Sequence, residues 1–157
     1  MIDSKSGCGT GAAIMNCLPR VSQKFSVIYG DSFLLCDHSN LQTEFLKSGK
    51  SCGMVLCKAE GFDQNNVCFE SNIIKDYDKS RLKPDLNYLD YGLNFFDQLT
   101  FSGFKDKKVF DLSALHQEYI RRNDICGISI SDRYYEIGSL VGQSDFVKYL
   151  NTQLMEK

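Results

Sequence analysis

The sequence has no excess of charge of one sign and no apolar run long enough to cross a bilayer. Its 18 Lys and Arg residues stand against 20 Asp and Glu, and neither sign forms a long block. A protein that grips nucleic acid needs a basic surface, so this balance argues against that class. A bilayer span needs about 20 apolar residues, and a secretory signal needs a charged segment followed by an apolar one. Because both are missing, we expect a cytoplasmic protein with neither nucleic acid nor membrane as its partner.

Closely spaced zinc ligands are also missing, although the chain has seven cysteines and two histidines. Cys52 and Cys57 are separated by four residues instead of two, and on a strand their odd separation directs them to opposite faces. His38 and His116 lie in no H-x-x-x-H pattern. An odd number of cysteines without a secretory signal favours reduced thiols. We predict that most cysteines are small core residues and that both histidines are surface or capping residues.

The length and the alternation of segments indicate an α/β fold. A chain of 157 residues with 43% hydrophobic content is long enough for one domain, 1–157, and contains no repeat, linker or low-complexity stretch. The apolar pattern changes repeatedly between strand and helix periods. In order, the first segments are a strand at 25–31, a helix at 39–49 that Ser39 caps and Gly49 ends, a strand at 52–59, and a hairpin at 66–79 around Ser71-Asn72. They are followed by a strand at 87–97, where Gly92 marks a bulge or the close approach of a ligand, a helix at 112–122, strands in ICGISI and RYYEIGS, and a last helix, SDFVKYLNTQLMEK, capped by Ser144.

A glycine-rich stretch, SGCGTGAAIMN, lies near the start of the chain. Its glycines run G-x-G-x-G, and Asp31 follows Gly11 by twenty residues, which is the spacing of a dinucleotide-binding fingerprint. That fingerprint requires G-x-G-x-x-G after a buried strand, and only six residues precede Gly7. The stretch therefore predicts a loop that opens a helix, with or without a ligand.

Asp31 is the first candidate for chemistry because it follows an apolar strand. A carboxylate at the carboxyl end of a buried strand points into the crevice where open α/β sheets bind ligands, and Mg²⁺ prefers such oxygen ligands. The alternative is an acidic strand end in solvent.

Six segments in order resemble the sugar nucleotidyltransferases, the nucleoside-diphosphate-sugar pyrophosphorylases. Within that family the sequence is similar to the guanylyltransferases of D-glycero-D-manno-heptose 1-phosphate. The resemblance implies a Rossmann-like α/β fold with a mixed, mainly parallel sheet and flanking helices. It also implies a Mg²⁺-dependent reaction of a nucleoside triphosphate with a sugar 1-phosphate that releases pyrophosphate. The segments are GTGAAIMNCLP, VIYGDSFLLCD, NNVCFE, YDKS, YLDYGLNFF and RYYEIGS.

For the nucleotide and the metal, the resemblance implies specific positions. Gly9, Thr10 and Gly11 would face the base, where glycine admits a close approach. Asp31 would be a metal ligand, and Glu136 would be the second, at a position where the family usually has Asp.

For the sugar phosphate, Lys79 matches the lysine of the family's Glu-Lys-Pro motif. Asp78 replaces the glutamate and Ser80 the proline, so a surface lysine is the alternative. Tyr91 and Gly92 would line the sugar pocket.

One family motif has no counterpart in these residues. The family's glycine-rich loop carries an arginine that holds the triphosphate, whereas no Arg or Lys follows Gly7 until Arg20. We expect the domain to lack its N-terminal strands, and the chain to be a carboxyl-terminal portion with impaired activity, as a homo-oligomer or with a complementing N-terminal chain. The alternatives are a non-catalytic protein that binds a sugar phosphate or nucleotide sugar, an assembly partner, and an unrelated α/β binding domain.

Overall fold

A computed structural model describes residues 8–58 and 65–155 of the chain. Within these ranges, helices and strands alternate as the sequence predicts. The helices are α1 (Thr10–Cys17), α2 (His38–Ser48), α3 (Leu112–Arg121) and α4 (Leu140–Met155), with shorter 3₁₀ helices at Leu18–Arg20 and Gln98–Phe104. The strands are β1 (Lys24–Ile28), β2 (Ser32–Phe33), β3 (Cys52–Cys57), β4 (Val67–Glu70), β5 (Ile73–Tyr77), β6 (Leu89–Asp97), β7 (Ile125–Ile130) and β8 (Tyr135–Glu136).

The central sheet has the order β1-β6-β3-β7. Strand β6 pairs antiparallel with β1 and with β3, while β3 and β7 pair in parallel. Three of these four described strands therefore run in one direction, and β6 runs against them. This confirms the prediction of an α/β fold with a mixed, mainly parallel sheet and flanking helices.

Helices cover both faces of the sheet. Residues Cys52, Met54 and Leu56 of β3 join the apolar cluster that includes α1, α3 and the β4–β5 hairpin. Val55 and Cys57 join the cluster on the other face with Leu41 and Phe45 of α2. Every residue of β3 is buried, as expected for a strand covered on both sides. Cys52 and Cys57 thus face opposite sides, as their spacing predicts.

Two of the predicted helix caps are wrong. Helix α2 begins at His38, because the carboxylate of Asp37 accepts from the backbone N–H of Ser39 and Asn40. Its predicted end is confirmed, since Gly49 adopts a left-handed conformation with φ of 67°. Helix α4 begins at Leu140, where the hydroxyl of Ser139 accepts from the Gly142 N–H. Ser144, the predicted cap, therefore lies inside the helix. Both caps were mispredicted because the residue that caps a helix depends on a hydrogen bond, which the residue types alone do not locate.

The hairpin and the bulge are confirmed. Ser71 and Asn72 both have positive φ, 50° and 61°, between β4 and β5, as a tight two-residue turn requires. In β6, Gly92 has φ of 83° where the pairing with β3 shifts register between Met54 and Leu56.

The prediction that both histidines are surface or capping residues is wrong for His116. This ring is completely buried in α3, neither ring nitrogen has a hydrogen-bond partner, and it stacks on Phe96 at 6.0 Å between centroids. Burial lowers the pKa of His116 to about 3. The partly exposed His38, at the start of α2, lies 3.1 Å from the hydroxyl of Ser26.

The prediction that most cysteines are core residues is confirmed in part. Cys52, Cys57 and Cys68 are buried, and Cys17 is exposed, while the remaining three are half-buried. The predictions for Gly7, for residue 59 of the third segment and for residues 156–157 of the last helix lie outside the described residues. No helix in the described ranges has the length and apolar content of a membrane span.

Candidate active site

The structure brings the carboxylates of Asp31 and Glu136 together. Asp31 lies in the turn between β1 and β2, and β2 pairs with β8, so that Ser32 is opposite Glu136. The backbone N–H of Ile137 donates to the carbonyl of Asp31 at 2.7 Å. The point that a Cβ would occupy at Gly138 lies 2.6 Å from Glu136 Oε1 and 3.6 Å from Asp31 Oδ2, so both carboxylates approach one position.

Small residues at the start of α4 hold Glu136 in place. Ser139 Oγ donates to Glu136 Oε2 at 2.6 Å. A Cβ on Gly142 would clash with the backbone carbonyl of Glu136, and one on Gly138 would press on Glu136 Oε1. The glycines therefore allow the first turn of α4 to pack directly on β8.

An open cavity of about 630 Å³ lies beside Asp31. Thr10 of α1 and Lys79, which follows β5, both reach its lining together with Asp31. The volume falls within the range of ordinary small-molecule sites. We call this space the Asp31 cavity. Its lining residues are Thr10, Ala13, Ile14, Val27, Ile28, Tyr29, Gly30, Asp31, Tyr77, Lys79, Asp111 and Leu112.

The glycines beside Thr10 do not line this cavity. A Cβ on Gly9 would clash with the carbonyl of Phe110, and one on Gly11 would overlap the Phe110 ring. The Phe110 carbonyl also accepts from the N–H of Gly11 and of Ala12. Packing against Phe110 therefore explains both glycines. Of the three residues, Thr10 alone lines the cavity. Its hydroxyl accepts from the Leu112 N–H at 3.0 Å.

Lys79 is paired with a carboxylate at the cavity wall. Its ammonium lies 2.7 Å from Oδ2 of Asp111, the residue that caps α3. Burial raises the pKa of Asp111, but the hydrogen bonds from Lys79 and Ser113 outweigh it and the pKa is lowered. The side chain of Lys79 is 62% exposed, so solvent weakens its attraction to Asp111. Asp78 shapes this loop, because its carboxylate accepts from the backbone N–H of Ser80 and Leu82.

Tyr91 and Gly92 lie beneath the site and not on its surface. Tyr91 is fully buried, and its hydroxyl donates to the carbonyl of Arg133 and accepts from the N–H of Leu35. A Cβ on Gly92 would lie 2.6 Å from the hydroxyl of Ser32, so the close approach at this glycine is internal to the chain. The resemblance implied that these two residues line a sugar pocket, whereas in this structure they are buried below the surface of the site.

Sequence reasoning missed Asp90, the buried carboxylate under the Asp31 cavity. The hydroxyl of Tyr29, which lines the cavity, donates to Asp90 Oδ2 at 2.9 Å, and the N–H of Gly92 donates to Oδ1 at 3.0 Å. Asn94 adds a third hydrogen bond. Burial raises the pKa of Asp90 to about 6. An acidic residue in the middle of an apolar strand is the sequence signal that would have found it.

A larger open cavity, of about 1460 Å³, lies on the other side of Glu136. It extends along the ends of β3 and β7 to the start of α4, where Arg133 pairs with Asp145. Glu136 lines this cavity and Asp31 lines the first, so the carboxylate pair stands between the two.

The carboxylate pair fits Mg²⁺ in its chemistry. Mg²⁺ in phosphate-transfer sites is held by one or two carboxylates, with substrate phosphates and water completing the coordination. In the described ranges, no group of three or more His, Cys, Asp or Glu side chains forms an all-protein metal cage. The pair of Asp31 and Glu136 therefore suits an ion shared with a phosphate ligand.

No family model matches the sequence, and no curated protein matches it. Solved structures are similar to this chain in fold. A Bacillus anthracis protein described as a glucose-1-phosphate thymidylyltransferase, in complex with sucrose, is similar with a TM-score of 0.79 and 17% identity over 90% of this chain and 60% of that one. The inositol-1-phosphate CTP transferase from T. maritima gives a TM-score of 0.72 and 19% identity over 89% and 60%. HddC from Yersinia pseudotuberculosis, complexed with GMP-PN, gives 0.73 and 13% over 92% and 63%. The chain therefore has the fold of these proteins and spans less than two thirds of their length.

Proposed function

We propose that residues 1–157 form the metal- and sugar-binding portion of a sugar-1-phosphate nucleotidyltransferase. The observation that carries the proposal is the convergence of Asp31 with Glu136 beside a cavity that Thr10 and Lys79 also reach. These residues belong to segments far apart in the sequence, so chance clustering is a poor explanation. Structural similarity to nucleotidyltransferases supports the class, although a fold alone does not fix a function.

In the proposed reaction, an oxygen of the sugar 1-phosphate attacks the α-phosphorus of the nucleoside triphosphate. The bond from that phosphorus to the bridging oxygen breaks, and pyrophosphate leaves with the electron pair. Mg²⁺, when bound, neutralises the phosphate oxygens and aligns attacker and leaving group. Asp31 and Glu136 would hold this ion. Lys79 would exchange Asp111 for the sugar phosphate, and Thr10 would contact the nucleotide.

Within this proposal, Tyr91, Gly92 and Asp90 shape the floor of the site. Asp90 orients the Tyr29 ring through the hydroxyl and holds the bulge through Gly92. Gly9 and Gly11 let α1 approach α3, which sets the position of Thr10.

Guanosine triphosphate and a heptose 1-phosphate are the first substrates to test. The sequence resemblance suggests this pair, and the similarity to HddC complexed with GMP-PN supports the guanine nucleotide. The similarity to UDP-glucose pyrophosphorylase complexed with UDP-glucose, at a TM-score of 0.75, makes uridine triphosphate with glucose 1-phosphate the comparison pair.

The second candidate function is binding of a sugar phosphate or nucleotide sugar without catalysis. The observation that favours it over catalysis is that the lining of the Asp31 cavity has one cation, Lys79, which is already paired with Asp111, so little positive charge is available to stabilise a departing pyrophosphate. Calorimetric titration with Mg²⁺ and then with sugar 1-phosphate tests the binding that both candidates require, and release of pyrophosphate from the nucleoside triphosphate separates them. Loss of Mg²⁺ binding in Asp31→Asn and in Glu136→Gln is expected, while Asp106→Asn, an exposed carboxylate outside both cavities, is the control. Unchanged Mg²⁺ binding in both site variants would refute the metal assignment.

A further inference from the structure

Helix α4 lies on the outside of the molecule, and none of its residues is buried. Its aromatic side chains Phe146 and Tyr149 pack against Tyr135 of β8, which identifies the side of the helix that faces the domain. A second row of side chains lies about 130° around the helix from these aromatics, and every member of the row is exposed to solvent. We call this row the α4 stripe, and its members are Leu140, Gln143, Val147, Asn151 and Leu154.

The α4 stripe has the same pattern in both directions. Its steps are three, four, four and three residues, and its side chains alternate between apolar and amide, with an apolar residue at both ends and in the centre. The steps average 3.5 residues, which is the period at which one helix packs along another. In an antiparallel pair with a twofold axis at Val147, Leu140 would meet Leu154 of the partner subunit, and Gln143 would meet Asn151 of the partner subunit. An interface between two identical chains requires this kind of self-complementarity.

The apolar members of the α4 stripe are strongly exposed for side chains of their type. Leu140 is 85% exposed, Val147 53% and Leu154 72%. Exposed apolar side chains in one row are typical of an interaction surface. The stripe contains no charged residue, because the two charges of α4, Asp145 and Lys148, lie on the side that lines the larger cavity. The centre of a protein interface is depleted of charge in the same way, so a second copy would meet no like charge along the stripe.

The two amides of the α4 stripe suit the same arrangement. The side-chain nitrogen of Gln143 donates to the carbonyl of Ile137 at 3.0 Å, and the side-chain oxygen of Gln143 can accept from the amide of Asn151 of the partner subunit. Polar residues within an apolar seam specify the register and the number of helices that pair. A helix of 16 residues is about 24 Å long, so a contact confined to the stripe lies at the lower end of the size range of specific interfaces, about 1,000 Å² in total. We therefore expect a reversible dimer.

We propose that the α4 stripe is a dimer interface, across which a second copy of this chain packs its own α4 in the antiparallel direction. Leu140 lines the larger cavity together with Glu136. The pairing would place Leu154 of the partner subunit beside Leu140, so the second copy would add to the wall of that cavity. A partner of another kind would need an apolar face but not the symmetry of the stripe. The inference uses no metal, nucleotide or sugar phosphate, so it succeeds or fails independently of the proposed function.

Sedimentation velocity of residues 1–157 over a concentration series tests for the dimer. A reversible equilibrium between monomer and dimer is expected, with a dissociation constant of about 1–100 μM. Val147→Lys would bring two ammonium groups together at the twofold axis and should raise this constant about tenfold or more. Val141→Lys makes the same change at an exposed valine about 120° around the helix and should leave the constant unchanged within about twofold. A chain that stays monomeric up to about 1 mM, or an equal effect of both variants, would overturn the proposal.

Mixing two charged variants tests the antiparallel direction. In the homodimer of Leu140→Lys or of Leu154→Glu, a charge would face leucine at both ends of the helix pair, so each homodimer should be weakened about tenfold or more. In the mixed dimer, the introduced ammonium would face the introduced carboxylate at one end, and leucine would face leucine at the other. Native mass spectrometry of the mixture should therefore show the mixed dimer in about tenfold or greater excess over either homodimer. Both leucines are exposed, so neither substitution removes a core contact. A mixture without preference for the mixed dimer would overturn the proposal.

Discussion

Two buried residues, His116 and Asp90, make folding stability depend on pH in opposite directions. Burial lowers the pKa of His116 to about 3, so the folded state excludes a proton that the unfolded chain binds below pH about 6.5. Stability from this residue is lost as pH falls. Burial raises the pKa of Asp90 to about 6, so the folded state keeps a proton that the unfolded chain releases above pH about 4. Stability from this residue is lost as pH rises through about 6, and the two effects oppose each other between pH 4 and 6.

Replacing His116 by Phe should remove the loss of folding stability that His116 causes as pH falls. The ring position between Phe96 and Tyr77 suits an aromatic side chain, and no hydrogen bond is lost. Between pH 7 and 5, the free energy of unfolding of His116→Phe should gain about 2 kcal/mol relative to the unaltered protein. Urea unfolding at both pH values measures this gain. His38→Gln, at a partly exposed ring, is the control, and an equal change in both variants would contradict the assignment.

Replacing Asp90 by Asn should have the opposite pH signature. The amide oxygen can still accept from Gly92, and the Tyr29 hydroxyl can accept from the amide nitrogen in place of donating. Relative to the unaltered protein, Asp90→Asn should be more stable by about 1–3 kcal/mol at pH 8, and this advantage should vanish at pH 4. Thermal unfolding across this range provides the measurement. A variant that is less stable at pH 8 would show that the ionised carboxylate stabilises the network.

At the scale of elements, Gly11 of α1 packs against the ring of Phe110, which precedes the start of α3. Gly11→Ala should destabilise the fold by about 1–3 kcal/mol, because its Cβ would overlap that ring. Phe110→Leu in the same chain should recover part of the loss. Gly103→Ala, where a Cβ meets nothing within 4 Å, is the matched control and should change stability by less than about 0.5 kcal/mol. Additive effects of Gly11→Ala and Phe110→Leu would rule out their direct contact.

Local patterns predicted the elements but not the contacts between them. The apolar periods located β3, β6, α2 and α3, because burial on one or two faces leaves a regular trace in the sequence. The resemblance implied that the glycines near the start face a base, and the structure packs Gly9 and Gly11 against Phe110, about a hundred residues later. The burial of His116 and the Asp90 network likewise depend on which elements pack over them. Such long-range partners leave no periodic signal.

The candidate site was predicted in part for the same reason. Asp31 was placed by a local rule, the end of a buried strand, whereas its approach to Glu136 depends on the β2–β8 pairing between two-residue strands. Pairs that short have no recognisable pattern. The ion pair of Lys79 with Asp111 joins two loops, and neither loop carries a sign of the other.

At the scale of the whole molecule, the proposed function assigns Asp31, Glu136 and Lys79 to the sugar-phosphate side of a transfer reaction, and the lining of the Asp31 cavity offers few groups that would hold a triphosphate. Asp31 and Lys79 line the Asp31 cavity, and Glu136 approaches Asp31 from the second cavity. The lining of the Asp31 cavity has no second cation. In the proposed function, binding of a sugar 1-phosphate with Mg²⁺ needs only Asp31, Glu136 and Lys79. Stabilising the charge on a departing pyrophosphate needs more positive charge than this cavity provides.

We therefore predict that residues 1–157 by themselves bind a sugar 1-phosphate but turn over poorly. Loss of a main electrostatic contact to a transferring phosphate lowers the rate by about 10³ or more, whereas binding loses only the contacts that are missing. Pyrophosphate release from each nucleoside triphosphate, with heptose 1-phosphate and with mannose 1-phosphate, measures turnover, and calorimetry with the same sugar phosphates measures binding. Lys79→Ala should weaken that binding, while Lys107→Ala, on an exposed lysine outside both cavities, should not. Turnover of about 1 s⁻¹ or faster by these residues alone would show that the Asp31 cavity needs no further cation.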